Sequence, residues 1–158
     1  VVEFAAATAL AWLAAEHPEG FALALKWIDS PKESIACPGW RTLCGLVATV
    51  PDEQLPVKPL SALLDRVART LKAAPNDVRY QMNTFIISCG TYVAALGDKA
   101  IATARKVGKV EVDMGDTECK IPDAESYIIK SRRGAPVAPK RKTMRCGAGP
   151  TQSRVDAA

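Results

Sequence analysis

The sequence predicts an all-α protein. Three observations lead there. Apolar residues recur at helical spacing along most of the first 107 residues. Prolines and glycines break that pattern at short intervals, while alternating apolar residues occur in one stretch near residue 110. The 158 residues, 48% hydrophobic and 24% charged, have the size and mix of one ordinary soluble domain.

Each element follows from its local pattern. Residues 2–16 are rich in Ala and Leu and apolar on most sides, which predicts a central, buried helix. His17, Pro18 and Gly20 end it. A second helix runs from about Gly20 to Asp29, with Phe21, Leu25 and Ile28 on one face, and Ser30-Pro31 stops it. A third is expected to start near Pro38, carrying Trp40, Leu43, Cys44 and Val47, and to close at Pro51. The fourth starts at Pro59, carries Leu60, Leu63, Leu64, Val67 and Leu71, and closes at Pro75. Asn76 reads as the cap of a long fifth helix with the stripe Val78, Met82, Phe85, Ile86, Cys89 and Val93. A sixth spans Lys99 to Val107 and ends at Gly108. Val110, Val112 and Met114 then alternate, so an extended segment with a turn at Gly115 is expected, before a last short helix from Pro122 to about Lys130. The apolar stripes are wide and follow no strict heptad, which excludes a coiled coil. A compact bundle and an α-solenoid of stacked hairpins both fit.

Charge divides the chain at residue 131. Residues 1–130 hold 14 basic and 16 acidic residues, whereas residues 131–158 hold 7 basic and 1 acidic. A helical domain over 1–130 and a basic, poorly packed tail over 131–158 are therefore expected, unless the tail lies on the body or a partner. No apolar run reaches the ~20 residues of a membrane span, so no membrane association is expected. The first residue is not Met, and the opening lacks a basic leader, which points to a processed or trimmed piece of something longer. The five cysteines include no CxxC pair, which fits a reducing, cytoplasmic compartment.

The common catalytic signatures are missing: GxGxxG, the P-loop, HExxH and GxSxG do not occur. The single His17 has no evident catalytic partner. No metal and no cofactor are expected. The candidate residues are polar and basic. Arg79 and Asn83 lie four apart on the fifth helix, where they could present a groove-lining row: Arg bridges phosphates, and Asn holds a backbone or polar ligand. Trp40 and Arg41 open the third helix, Trp40 on the core stripe and Arg41 off it. Lys140, Arg141, Lys142 and Arg145 make the tail a generic hook for nucleic acid. The loop Asp113-Met114-Gly115-Asp116-Thr117-Glu118-Cys119-Lys120 allows two readings. Lys120 could activate Cys119, or Asp116 and Thr117 could hold a turn while Cys119 packs. The body offers Arg41, Arg66, Arg69, Lys72, Arg79 and Arg105 as phosphate contacts, and their worth depends on whether they share one surface.

Several stretches together resemble a known family. They are Ala24-Leu25-Lys26-Trp27-Ile28-Asp29-Ser30, Gly39-Trp40-Arg41, Pro75-Asn76-Asp77-Val78-Arg79-Tyr80-Gln81-Met82-Asn83, and the closing run Gly108 to Ile128 with its basic end at Arg145-Cys146. The chain resembles the DNA alkylation repair proteins built from HEAT-like repeats, in a branch marked by that closing run. The resemblance implies an α-solenoid whose concave face is basic and cradles duplex DNA. It also implies kinship with glycosylases that excise alkylated purines using an Asp beside aromatic residues, an Asp that no position here matches. Duplex DNA is then the expected partner, and a protein partner held in the same groove is the alternative.

Overall fold

The structure, a computed structural model, describes residues 2–117 and 119–144, and of residues 2–6 the backbone alone. Seven α-helices are placed: α1 (Val2–Glu16), α2 (Gly20–Ile28), α3 (Glu33–Thr49), α4 (Val57–Thr70), α5 (Asn76–Tyr92), α6 (Gly97–Val107) and α7 (Ala124–Arg132). Short 3-10 turns occupy Asp52–Gln54, Leu71–Ala73 and Ala94–Leu96. No strand occurs among the described residues. The helices stack as hairpins in two layers. In one, α1 packs on α3, α3 on α5, and α5 on α7. In the other, α2 lies behind α3, and α4 packs beside α6. This is the solenoid rather than the bundle.

The core sits between α3 and α5. Trp40 and Phe85 are fully enclosed and meet at 5.4 Å between ring centroids with planes tilted by 60°. Leu43, Leu60, Leu64 and Ile86 complete the centre without exposure. Burying one such side chain stabilises the fold by about 1.5–3 kcal/mol. Helix α2 approaches α3 at a glycine. A Cβ on Gly39 would lie 2.8 Å from Trp27 Cβ and 2.9 Å from the backbone N of Ile28, so any side chain there forces the two helices apart.

Several boundaries differ from the sequence expectation. Helix α3 starts at Glu33, five residues before Pro38, which lies inside it. A proline this close to a helix start removes a single intrahelical bond. Glu33 offsets that loss, since its carboxylate accepts the backbone N–H of Asp77 at 3.0 Å. Helix α4 starts at Val57, which leaves Pro59 in the first turn, where N–H groups lack intrahelical partners anyway. Helix α6 starts at Gly97. Helix α7 starts at Ala124 and is capped by Asp123, whose Oδ1 accepts Ser126 N–H at 2.9 Å. Hydrogen bonding from the Ser126 side chain first, and then from that backbone N–H, holds the Asp123 carboxyl below the usual carboxylate range. Asn76 is no cap, because its side chain reaches sideways to residue 113.

The basic end lies on the body as far as residue 144, and residues 145–158 of the expected tail lie outside the described residues. Ala138 is buried and donates its N–H to Thr91 O at 2.8 Å, and Arg141 donates its N–H to Ala48 O at 2.7 Å. Met144 packs against α3 at Gly45, where a Cβ would lie 2.2 Å from its sulfur. The reason is that α3 and α5 end without a glycine cap and without a basic residue in the last turn. Their terminal carbonyls need outside donors, and this segment supplies them.

Gly39→Ala is expected to destabilise the chain by about 1–3 kcal/mol through overpacking, although alanine is the better helix former. A urea melt at or above the wild-type midpoint would contradict the close approach of α2 to α3.

Candidate nucleic-acid interface

The polar row on α5 is present, but the chain itself occupies it. Asn76, Arg79 and Asn83 stand at i, i+3 and i+7, so they share one helix face. Asn76 makes a reciprocal pair with residue 113: its Nδ2 donates to Asp113 O at 2.8 Å, and Asp113 N–H donates to its Oδ1 at 2.8 Å. Arg79 donates to Glu111 O at 2.7 Å and to Ala74 O at 3.0 Å. Asn83 is fully enclosed and donates to Pro122 O at 3.0 Å. The three side chains therefore do for residues 111–122 what a neighbouring strand does in a sheet. They satisfy the backbone of an extended segment that forms no ladder. Val110 anchors the same segment in the core.

The other expected contacts separate. Trp40 is interior, beneath the Arg66 guanidinium at 5.8 Å, so it presents no face to a base. Arg41 is half-buried on α3 and donates to the Thr8 hydroxyl of α1. Lys140 donates to Val47 O at 2.8 Å and pairs with Asp52 at 2.7 Å. Arg132 donates to Gly90 O at 2.8 Å through Nε. A positive side chain at a helix C-terminus meets the negative end of the helix dipole, and Lys140 and Arg132 do this for α3 and α5. Lys142 is exposed. Arg145 lies outside the described residues. Thus Trp40, Arg79 and Asn83 have structural partners, and Lys140 seats the chain's own end. These four and Arg41 do not converge on one open groove. The capping role of Lys140 and Arg132 was missed from sequence. The available signal was the pair of uncapped helix ends at Thr49-Val50 and Tyr92-Val93.

The loop 113–120 is a turn. The Asp113 carboxylate accepts Gly115 N–H at 2.9 Å, Gly115 adopts φ 59°, and the Thr117 hydroxyl donates to Met114 O at 3.0 Å. Asp113, not Asp116, is the carboxylate that holds it. Asp116, Cys119 and Lys120 are exposed, so Cys119 does not pack. The other described thiols differ. Burial, reinforced by the Asp77 and Glu33 carboxylates, pushes Cys37 up to about 11. Burial alone outweighs every other effect on Cys44, raising it to about 12, and it raises Cys89 as well. No helix among the described residues is long and apolar enough to cross a membrane.

This geometry can be set beside known proteins. No family model matches the sequence. The uncharacterised protein Lin0241 of Listeria innocua serovar 6a is 40% identical over 123 residues, and the uncharacterised protein Lmo0209 of Listeria monocytogenes serovar 1/2a is 37% identical over the same length. Each alignment covers 78% of this chain and 52% of the relative, so the chain spans about half the length of these relatives. A solved structure from a family of proteins related to the HEAT-like repeat DNA glycosylases, with affinity for branched DNA structures, superposes with a TM-score of 0.78. The fold is a HEAT-like repeat. The identity to that structure is 28%, over 86% of this chain and 58% of the other. The HEAT-like expectation is therefore met at the level of fold.

Arg79→Ala is expected to cost about 1–2 kcal/mol, towards the lower end for a charged hydrogen bond because the site is part-exposed. Hydrogen exchange over residues 111–122 should rise selectively. A rise spread evenly over α3 and α5 would contradict the clamp. In peptide mass spectrometry, iodoacetamide at neutral pH should modify Cys119 well before Cys37, Cys44 and Cys89. Equal rates for all four would show that the three packed thiols are not protected.

Proposed function

We propose that this chain is a DNA-binding helical-repeat module that recognises duplex arms through their phosphates and prefers branched to linear DNA. The likeness to the solved structure carries this reading, because that protein's family has affinity for branched DNA structures and the two chains are 28% identical where they align. A stack of packed hairpins holds its surface residues at fixed spacing, which suits recognition of DNA by shape. Phosphate contacts position a protein without reading sequence. The family resemblance extends the proposal to alkylation repair, with excision of alkylated purines as its catalytic form. The family's excising Asp has no match here, which favours binding over excision, and Arg79 and Asn83 are already engaged by residues 111–122.

A second reading, a scaffold that binds protein, draws on one observation. Leu10 and Leu13 of α1 are 46% and 60% exposed, on a helix whose other side packs against α3.

Gel-shift titration with a four-way junction and a linear duplex of equal length tests the first reading. The junction should bind more tightly, and log affinity should fall linearly with log salt, by about 0.9 per phosphate contact. Absence of binding at low salt would remove the DNA reading. Junction binding without release of alkylated purines from methylated duplex is the expected pattern, whereas release would make the protein a glycosylase.

A further inference from the structure

The near-neutral charge of the body hides a strong division between layers. Residues 57–73 and 97–109, which form α4, α6 and their ends, hold eight basic residues and two acidic ones. The central helices of the other layer are balanced: α3 carries Glu33 and Arg41, and α5 carries Asp77 and Arg79. A concave face built on α3 and α5 thus has no excess of positive charge, while the α4–α6 side has a large one.

The basic residues on that side are ordered. Asp65, Arg69 and Lys72 stand at i, i+4 and i+7, so they form one row along α4 and its 3-10 extension. Lys99 and Lys106 stand at i and i+7 on the neighbouring α6. Lys99 joins the two rows, with Nζ 2.7 Å from Asp65 Oδ2 and 2.8 Å from Ser61 Oγ. The Asp65 carboxyl is held below the usual range, first by its hydrogen bond from Lys99, and also by the positive charges of Lys99, Arg69 and Lys106. Asp65 thus feels the charge of three cations and already has a partner in Lys99. Arg69, Lys72 and Lys106 are all exposed, and no described carboxylate lies within ion-pair distance of them. Like charges on two adjacent rows repel one another, and a polyanion laid along them relieves that repulsion while releasing its own counterions.

We propose that the outward ridge of α4 and α6 is a phosphate-binding surface for a nucleic-acid duplex, with Arg69, Lys72 and Lys106 as its contacts. The surface lies on the α2–α4–α6 side, away from the layer of α3 and α5. The inference rests on the DNA-binding reading and assigns it a surface. A branched structure has several arms, and a ridge outside the α3–α5 layer can hold an arm that this layer does not.

The test compares the wild-type chain with the triple variant R69E/K72E/K106E, and with R69Q/K72Q/K106Q in case charge reversal disturbs folding. Thermal melts check that both variants remain folded. Affinities for the four-way junction and the linear duplex are measured over a salt series. The triple variant should bind at least tenfold more weakly at low salt, and its log–log salt slope should fall by about 2–3 for three lost contacts. The glutamine variant should show the same loss of slope. A folded variant with wild-type affinity and slope would overturn the ridge while leaving the DNA reading intact. A wild-type chain that binds no DNA would overturn both. Wild-type binding to polyglutamate but not to DNA would assign the ridge to acidic polypeptides and would equally overturn the proposal.

Discussion

The contact of Trp40 with Phe85 joins α3 to α5, and the rest of the fold is arranged around that pair. Both rings are fully enclosed. That enclosure makes α3 and α5 the most buried helices and commits them to neighbours on several sides. Close packing of helices satisfies apolar surface but leaves helix ends with unpaired carbonyls, and a buried helix end cannot rely on water. The segments that look irregular in sequence answer this constraint. Residues 111–122 are held along α5 by a row of side chains, and residues 138–144 seat on the ends of α3 and α5. Charge follows the same logic. Arg132 and Lys140 sit where helix dipoles favour them, so a basic composition near residue 131 reports internal capping as much as affinity for anions.

Much of this was legible in the sequence. The apolar stripes of α2 and α5 fix those helices closely, because periodic burial and sharp Pro or Gly breaks coincide there. Pro38 misled, because a proline is read as a start, yet here the preceding turn is held by tertiary contact from Glu33 to α5. Asn76 misled similarly: a residue that caps well in isolation found a better pair of bonds in the backbone of residue 113. Arg79 and Asn83 were recognised as a polar row, but what they hold comes from residues 32 and 39 positions away. Local pattern carries no information on such pairings. The basic ridge was equally hidden. Arg69 and Lys72 stand among the phosphate contacts the sequence offers and Lys106 does not, and only the packing of α6 beside α4 gathers the three.

The layer division also changes the meaning of the net charge of +4. Averaged over the chain it is weak evidence for any partner. Distributed by layer, it separates a balanced pair of central helices from a basic flank, and the electrostatic field acts through that distribution rather than through the total.

The bond from Lys140 to Val47 O closes a loop of 93 residues. Contacts that distant in sequence are made late in folding, after local helices and the α3–α5 pair have formed, because loop closure must precede the contact energy that rewards it. During synthesis, the carbonyls of Val47, Ala48 and Thr91 therefore stay hydrated until residues 138–144 leave the ribosome. The central pair of helices is thus sealed by a segment that follows all seven described helices in the chain.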